Sequence, residues 1–168
     1  MEIYAVKING LDHPMGFDFE HLLCSWKVRN NRGKKQTQAK IQVAQDEKMS
    51  EVIWEKEGGL NSLGTVIEFS MKPYTRYYFQ ITVHSDEEEE AKSEVQYFET
   101  AKLEEPWTAK WLGVRGEDTH PEFRKNFSIK KEIKSARLYI CGLGIFEAYL
   151  GRKKIGNDLL APFINDYE

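Results

Sequence analysis

What the chain has little of narrows its class first. Among 168 residues there are two cysteines, Cys24 and Cys141, far apart in sequence. No disulfide framework is expected from them, and a reducing cytoplasm is the default compartment. No apolar run approaches the ~20 residues that a membrane-spanning helix requires. The opening Met1-Glu2-Ile3-Tyr4 lacks the basic stretch followed by an apolar one that marks an export signal. No basic block exists either. The net charge is −3, with 24 basic and 27 acidic residues mixed throughout. Nothing here is built to neutralise a phosphate backbone or an anionic bilayer, so neither nucleic acid nor membrane is an expected partner. Helical patterning is scarce as well. In the first hundred residues only Ser50–Lys56 could form a helical turn or two, and its Val52, Ile53 and Trp54 favour a short strand.

What is there is alternation. Leu22, Cys24, Trp26 and Val28 share one face against Leu23, Ser25 and Lys27. Ala39, Ile41 and Val43 alternate with Lys40 and Gln42, and Val66–Ser70 is a short apolar stretch. Tyr77, Phe79, Ile81 and Val83 alternate with Tyr78, Gln80, Thr82 and His84. A period of two marks strands with one buried face. Turn-prone residues separate them at Asn30-Asn31-Arg32-Gly33, Gly58-Gly59 and Ser85-Asp86, and many short strands at this spacing predict an all-β sandwich.

Ala101–Pro106, charged and closed by a proline, reads as a linker. A second set of strands is predicted beyond it, at Trp107–Val114, Phe123–Ile129, Ala136–Cys141, Ile145–Leu150 and Lys153–Ile155. The break at Gly151-Arg152 suits a type II′ hairpin turn, which needs a positive φ at its first central residue. The expected domains are therefore 1–103 and 104–168. The second holds few residues for a core of its own, and Phe146, Tyr149 and Phe163 call for a partner surface.

Two stretches resemble known families. Leu22-Leu23-Cys24-Ser25-Trp26-Lys27 is similar to the second strand of a fibronectin-III-like sandwich, whose tryptophan lies in the core. Leu60–Ser70 and Lys72–Ile81 resemble its late strands, and Tyr97-Phe98-Glu99-Thr100 its closing strand. Tyr77 matches the corner tyrosine, whose hydroxyl bonds back to the chain. The second resemblance is to the N-terminal β-domain of bacterial α-L-rhamnosidases. It is carried by Ala136-Arg137-Leu138-Tyr139-Ile140-Cys141-Gly142-Leu143-Gly144-Ile145-Phe146-Glu147-Ala148-Tyr149-Leu150, then by Lys154-Ile155-Gly156, Leu160-Ala161-Pro162 and Tyr167. The run-in Trp107–Gly113 and Pro121–Phe127 also fits it. The chain departs from that pattern at Gly151-Arg152, where the family often has Asn-Gly, and at Phe163-Ile164, where a glycine is frequent.

The resemblance implies a fibronectin-III/immunoglobulin-like sandwich followed by the first strands of a jelly-roll-like domain. It also implies a parent enzyme that hydrolyses α-L-rhamnosides with inversion in a downstream α/α barrel, and that needs no cofactor. Nothing in these residues matches the barrel, so no catalytic residue is carried over to this sequence. The main rival is a module that binds carbohydrate or protein without catalysis; a third reading is a scaffold for oligomer contacts.

The residues themselves offer little chemistry. Asp18, Glu20, Glu117, Asp118, Glu122, Glu147 and Asp158 sit in no motif that singles out a pair for glycoside hydrolysis. Asp86-Glu87-Glu88-Glu89-Glu90 lacks the glycine and the alternating oxygens of a calcium loop and reads as a solvated hairpin tip. His13, His21, His84 and His120 form no metal-ligand interval. Cys24 reads as core filler and Cys141 has no partners that would make it a nucleophile. Ser25 lies inside a strand, and Gly142-Leu143-Gly144 marks a close approach or bulge rather than a phosphate loop. Trp54, Trp107 and Trp111 are the candidates for a sugar platform. Their competing use, and the commoner one for such large rings, is packing between strands.

Overall fold

The computed structural model describes residues 1–116 and 120–161. They fall into two compact units, Met1–Leu112 and Gly113–Glu168. The first carries nine strands: β1 (Glu2–Ile8), β2 (Met15–Phe17), β3 (Leu22–Arg29), β4 (Gln36–Ala44), β5 (Val52–Gly58), β6 (Thr65–Ile67), β7 (Arg76–Ser85), β8 (Glu90–Lys92) and β9 (Gln96–Thr100). One sheet runs β1-β3-β6 and the other β2-β9-β7-β4-β5, with β8 beside β7. All pairs are antiparallel except β2 with β9. This is the immunoglobulin-like sandwich that the alternation predicts.

The inner faces are those read from the sequence. β7 buries Tyr77, Phe79, Ile81 and Val83 and half-exposes the residues between them. Ile41 and Val43 on β4 and Phe98 on β9 join them, and Ile3, Ile8, Leu22, Cys24 and Trp26 close the core from the smaller sheet. Short Ser50–Lys56 becomes β5, as its β-branched residues favour. The stretch 66–70 shortens to β6, because Phe69 leaves the ladder to meet Tyr77 edge-on at 5.0 Å.

Two polar devices lock the sandwich. Trp26 Nε1 donates to Gln36 Oε1 at 3.0 Å, and Gln36 Nε2 donates to the Leu60 carbonyl at 2.7 Å. A side chain of one sheet is thereby tied, through the other, to the β5–β6 loop. At the corner before β7, the Lys72 N–H donates to the Tyr77 hydroxyl at 2.8 Å, as the corner tyrosine does. Tyr77→Phe keeps the ring and orphans a backbone donor. It is expected to cost about 0.5–1.5 kcal/mol, read as a lower urea midpoint at unchanged slope.

The acidic run is the mostly exposed tip of the β7–β8 hairpin, as expected, yet two of its carboxylates are engaged. Asp86 accepts the N–H groups of Lys34 and Lys35 at 2.9 and 3.2 Å, and Glu89 those of Arg32 and Gly33 at 2.8 and 3.2 Å. Two carboxylates thus satisfy four donors of the β3–β4 loop, and the Glu89 side chain is only 11% exposed. Nothing in a run of five acids says which of them finds backbone donors some fifty residues away.

At the other end, Asn9 and Gly10 have φ of +50° and +78°. Ile8 and Leu11 exchange N–H···O bonds of 3.1 and 2.9 Å around them. This is a type I′ turn, for which Asn-Gly is the preferred pair. The Asn9 side chain does more: its Nδ2 donates to the His21 carbonyl at 2.8 Å, and its Oδ1 accepts the Leu23 N–H at 2.7 Å. The turn releases the chain from the first sheet and sends β2 to the second.

Ala101–Pro106 is more fastened than a linker. The Tyr74 N–H donates to the Ala101 carbonyl at 2.9 Å. Glu105 N–H donates to the Lys102 carbonyl at 3.0 Å, and the Lys102 ammonium donates to the carbonyls of Leu103 and Glu105 at 2.9 and 2.7 Å.

In the second unit the described ladder is one hairpin, β10 (Tyr149–Leu150) with β11 (Lys153–Lys154). Gly151 between them has φ +65° and Arg152 does not share the positive sign, as a type II′ turn requires. The unit is an incomplete β-domain. The strands predicted at Trp107–Val114, Phe123–Ile129 and Ala136–Cys141 do not form among the described residues, and those predicted at Ile145–Leu150 and Lys153–Ile155 shrink to two residues each. Alternation supplies an apolar face, but a strand also needs a neighbour for its N–H and C=O groups. Phe127, Leu138 and Ile140 are all about half exposed or more. Phe163 and Tyr167 lie outside the described residues.

Candidate functional site

A glycosidase acid must hold its proton near neutral pH, which takes a raised carboxyl pKa. Five described carboxyls are displaced the other way. Glu147 is held below the usual range by the Lys154 ammonium and the Tyr149 hydroxyl, each at 2.6 Å. Glu89 is lowered by the Gly33 and Arg32 N–H groups, Asp46 by the Glu51 N–H, Glu55 by Lys40 and Glu2 by Arg29. These five stay ionised and serve as acceptors. Glu20 lies 3.8 Å from His21 on the surface, and Glu122 and Asp158 are exposed. Glu117 and Asp118 lie outside the described residues.

One buried carboxylate escaped the sequence reading. Glu99, opposite Arg76 across β9 and β7, is 7% exposed and accepts from the Arg76 guanidinium at 3.2 Å. That guanidinium also lies 4.3 Å over the ring of Tyr97, and the His13 imidazole stacks on the same ring at 4.4 Å. Two planar groups at van der Waals distance cannot share one face, so both faces of Tyr97 are covered. The cluster is a fixed charged and aromatic patch, not an open platform. Finding it needed the register of two strands twenty residues apart, which residue order does not display.

The three candidate tryptophans divide. Trp54, opposite Val43 on β5, packs against the core. Trp107 and Trp111 are 49% and 70% exposed. Among the described residues no ring contact joins the three. A cleft of about 510 Å³ opens beside the exit from β9, lined by Asp18, Met71, Pro73, Lys102, Glu104 and Glu105 among others. No tryptophan lines it, and the Lys102 ammonium is already spent on two carbonyls. No group of His, Cys, Asp and Glu able to hold a metal ion occurs among the described residues.

The thiols behave as their settings dictate. Cys24 is fully buried, and burial pushes its thiol up to about 12, which suits core filler and no nucleophile. Cys141 is exposed and free. Gly142 marks a close approach, since a Cβ there would sit 2.6 Å from the Phe146 ring. No described helix is long and apolar enough to cross a membrane.

Comparison with known proteins places these features. Residues 3–104 match the family described as the Rha78A-like N-terminal immunoglobulin domain. Residues 131–168 match the α-L-rhamnosidase N-terminal domain. An α-L-rhamnosidase of Formosa agariphila is 28% identical over 203 residues, covering 100% of this chain and 21% of that protein. One from an Alteromonas species is 26% identical over 181 residues, covering 95% and 20%. The chain thus spans about a fifth of the length of these curated relatives. Among solved structures, α-L-rhamnosidase of Streptomyces avermitilis complexed with L-rhamnose superposes with a TM-score of 0.58 at 21% identity, covering 67% of this chain and 12% of that one. The α-L-rhamnosidase of Dictyoglumus thermophilum gives 0.57 at 26%, covering 66% and 14%.

Proposed function

Because the chain belongs to the family of Rha78A-like N-terminal immunoglobulin domains, we propose that it is the non-catalytic front end of a bacterial α-L-rhamnosidase that removes terminal α-L-rhamnose from glycosides. The observation that carries this is the order of the two matches, sandwich first and rhamnosidase N-terminal domain second, within relatives about five times longer. Catalysis then belongs to an α/α barrel downstream. There one carboxyl protonates the leaving oxygen while another activates water, the pair standing roughly 6.5–9.5 Å apart for inversion. The sandwich braces that barrel and helps to shape access to it, in the cytoplasm and without a cofactor. The carboxylates held low here fit a supporting role, since none of the five is poised to donate a proton.

The test has two parts. The 168-residue chain is expected to release nothing from an aryl α-L-rhamnoside. An antibody raised to residues 1–100 is expected to detect, in the source cells, a protein several-fold heavier than 19.6 kDa. Turnover by the isolated chain sinks the accessory reading, and a native mass near 19.6 kDa sinks the enzyme reading.

The exposure of Trp107 and Trp111 favours a second reading, a module that binds carbohydrate or protein. Titration with L-rhamnose that leaves the indole fluorescence unchanged removes its sugar-binding form.

A further inference from the structure

Asn9-Gly10 is the only Asn-Gly pair in the sequence. That dipeptide is chemically weak wherever its backbone is free. The glycine amide nitrogen, deprotonated by hydroxide, can attack the asparagine Cγ because no following side chain obstructs it. A bond forms from Gly10 N to Asn9 Cγ, the Cγ–Nδ2 bond breaks, and ammonia leaves. The resulting succinimide then takes up one water. Opening at the Cγ carbonyl gives aspartate, and opening at the α-carbonyl gives isoaspartate. Thermolabile asparagines of this kind are depleted from proteins that must last at high temperature.

In this chain the pair is placed where the fold opposes that chemistry and also depends on its not happening. Gly10 is exposed, and a Cβ built there would meet nothing within 4 Å, so water reaches the turn. Protection comes from the asparagine. Its carboxamide is held by His21 and Leu23 on the far strand at 2.8 and 2.7 Å, and its own N–H donates to the Leu23 carbonyl at 2.8 Å. Attack needs that carboxamide to swing back along its own chain, which breaks both side-chain bonds.

We propose that Asn9-Gly10 is a conformationally gated deamidation site. It stays intact while the clamp to β3 is closed and converts when the turn opens. Conversion is one-way in structural terms. An aspartate at position 9 still accepts the Leu23 N–H, but it has no hydrogen to give the His21 carbonyl and sets two oxygens against each other. An isoaspartate adds a methylene to the main chain inside a two-residue turn, which shifts the register by which β1 hands over to β2. Either product leaves the first sheet less firmly tied than before. The idea stands apart from the reading as a rhamnosidase front end.

The measurement is a time course in mildly alkaline buffer, with one sample native and one in urea. Cleavage after Lys7 and Lys27 gives the peptide Ile8–Lys27, in which Asn9 is the sole carboxamide residue, so a mass gain there has one source. Conversion in urea is expected to be at least about tenfold faster than in the native chain, as it is for chemistry that requires local opening. Equal rates would show that the clamp does not gate the reaction, and no conversion in urea would show that the site is inert. Asn9→Asp supplies the second readout. It is expected to melt at a lower temperature than the parent, and an unchanged melting temperature would overturn the claim that conversion loosens the fold.

Discussion

Trp26→Ala is expected to cost the first unit about 3–5 kcal/mol, the range for deleting a buried aromatic. The indole is 2% exposed in the middle of the core. Its loss also takes the donor from the half-buried Gln36 Oε1, which adds to the deficit. Domains of this size commonly have only about 5–15 kcal/mol in hand, so the variant should lose a large share of its stability. Urea titration followed by far-ultraviolet circular dichroism measures it. Trp26→Phe keeps most of the apolar volume and removes only the N–H bond, so it should recover the larger share. Trp111→Ala is the matching control, because that indole is 70% exposed and surface changes usually stay within about 0.5 kcal/mol. Equal losses at positions 26 and 111 would contradict the sandwich core described here.

Gly33→Ala should produce the next largest loss, about 1–3 kcal/mol, as overpacking does. The reason is space. A Cβ at Gly33 would stand 2.5 Å from Asp86 Oδ1 and 2.8 Å from both the Cβ and the Oγ of Ser85. Relief means pushing the β7–β8 hairpin away from the β3–β4 loop, and the four N–H bonds to Asp86 and Glu89 hold the two together. Gly59→Ala separates this from a general cost of losing a glycine. Position 59 has no positive φ and nothing within 4 Å of the added carbon, so alanine there should be neutral or slightly stabilising. Thermal melts of the two variants side by side decide the matter. Similar melting temperatures would mean that the contact between the two loops does not hold.

Much of the first unit could be read from residue order, because its cause is local. Tyr77 to Val83 alternate, and the strand they form buries one row and exposes the other. The corner role of Tyr77 and the turn at Gly151 follow from single residues with a definite conformational demand. Asn9-Gly10 also carried a turn signal, but the residues after it, Asp12, His13 and Pro14, show no alternation, and a reading built on periodicity passes over it. What stayed hidden has non-local causes. The Glu99 and Arg76 pair depends on which residues of two strands face each other. The docking of Asp86 and Glu89 depends on a loop brought alongside by the fold. In the second unit the alternation was real, yet it did not become strands, since a pattern describes one partner of a ladder and says nothing of the other. The candidate platform was only partly legible for the same reason: Trp54 faces inward because Val43 stands opposite it, and that pairing is a property of two strands.

The crossing of the N-terminal segment from one sheet to the other has a consequence in time. β2 pairs in parallel with β9, Met15 opposite Glu99, so the second strand made must wait for the last strand of the sandwich. A ribosome adding about 5–20 residues per second spends several seconds between them. Through that interval Met15 and Phe17 have no sheet to join, while β3 and β6 already lie nearer in the emerging chain. The larger sheet is therefore closed from its newest end, with β2 docking last although β1 before it already has β3 to pair with.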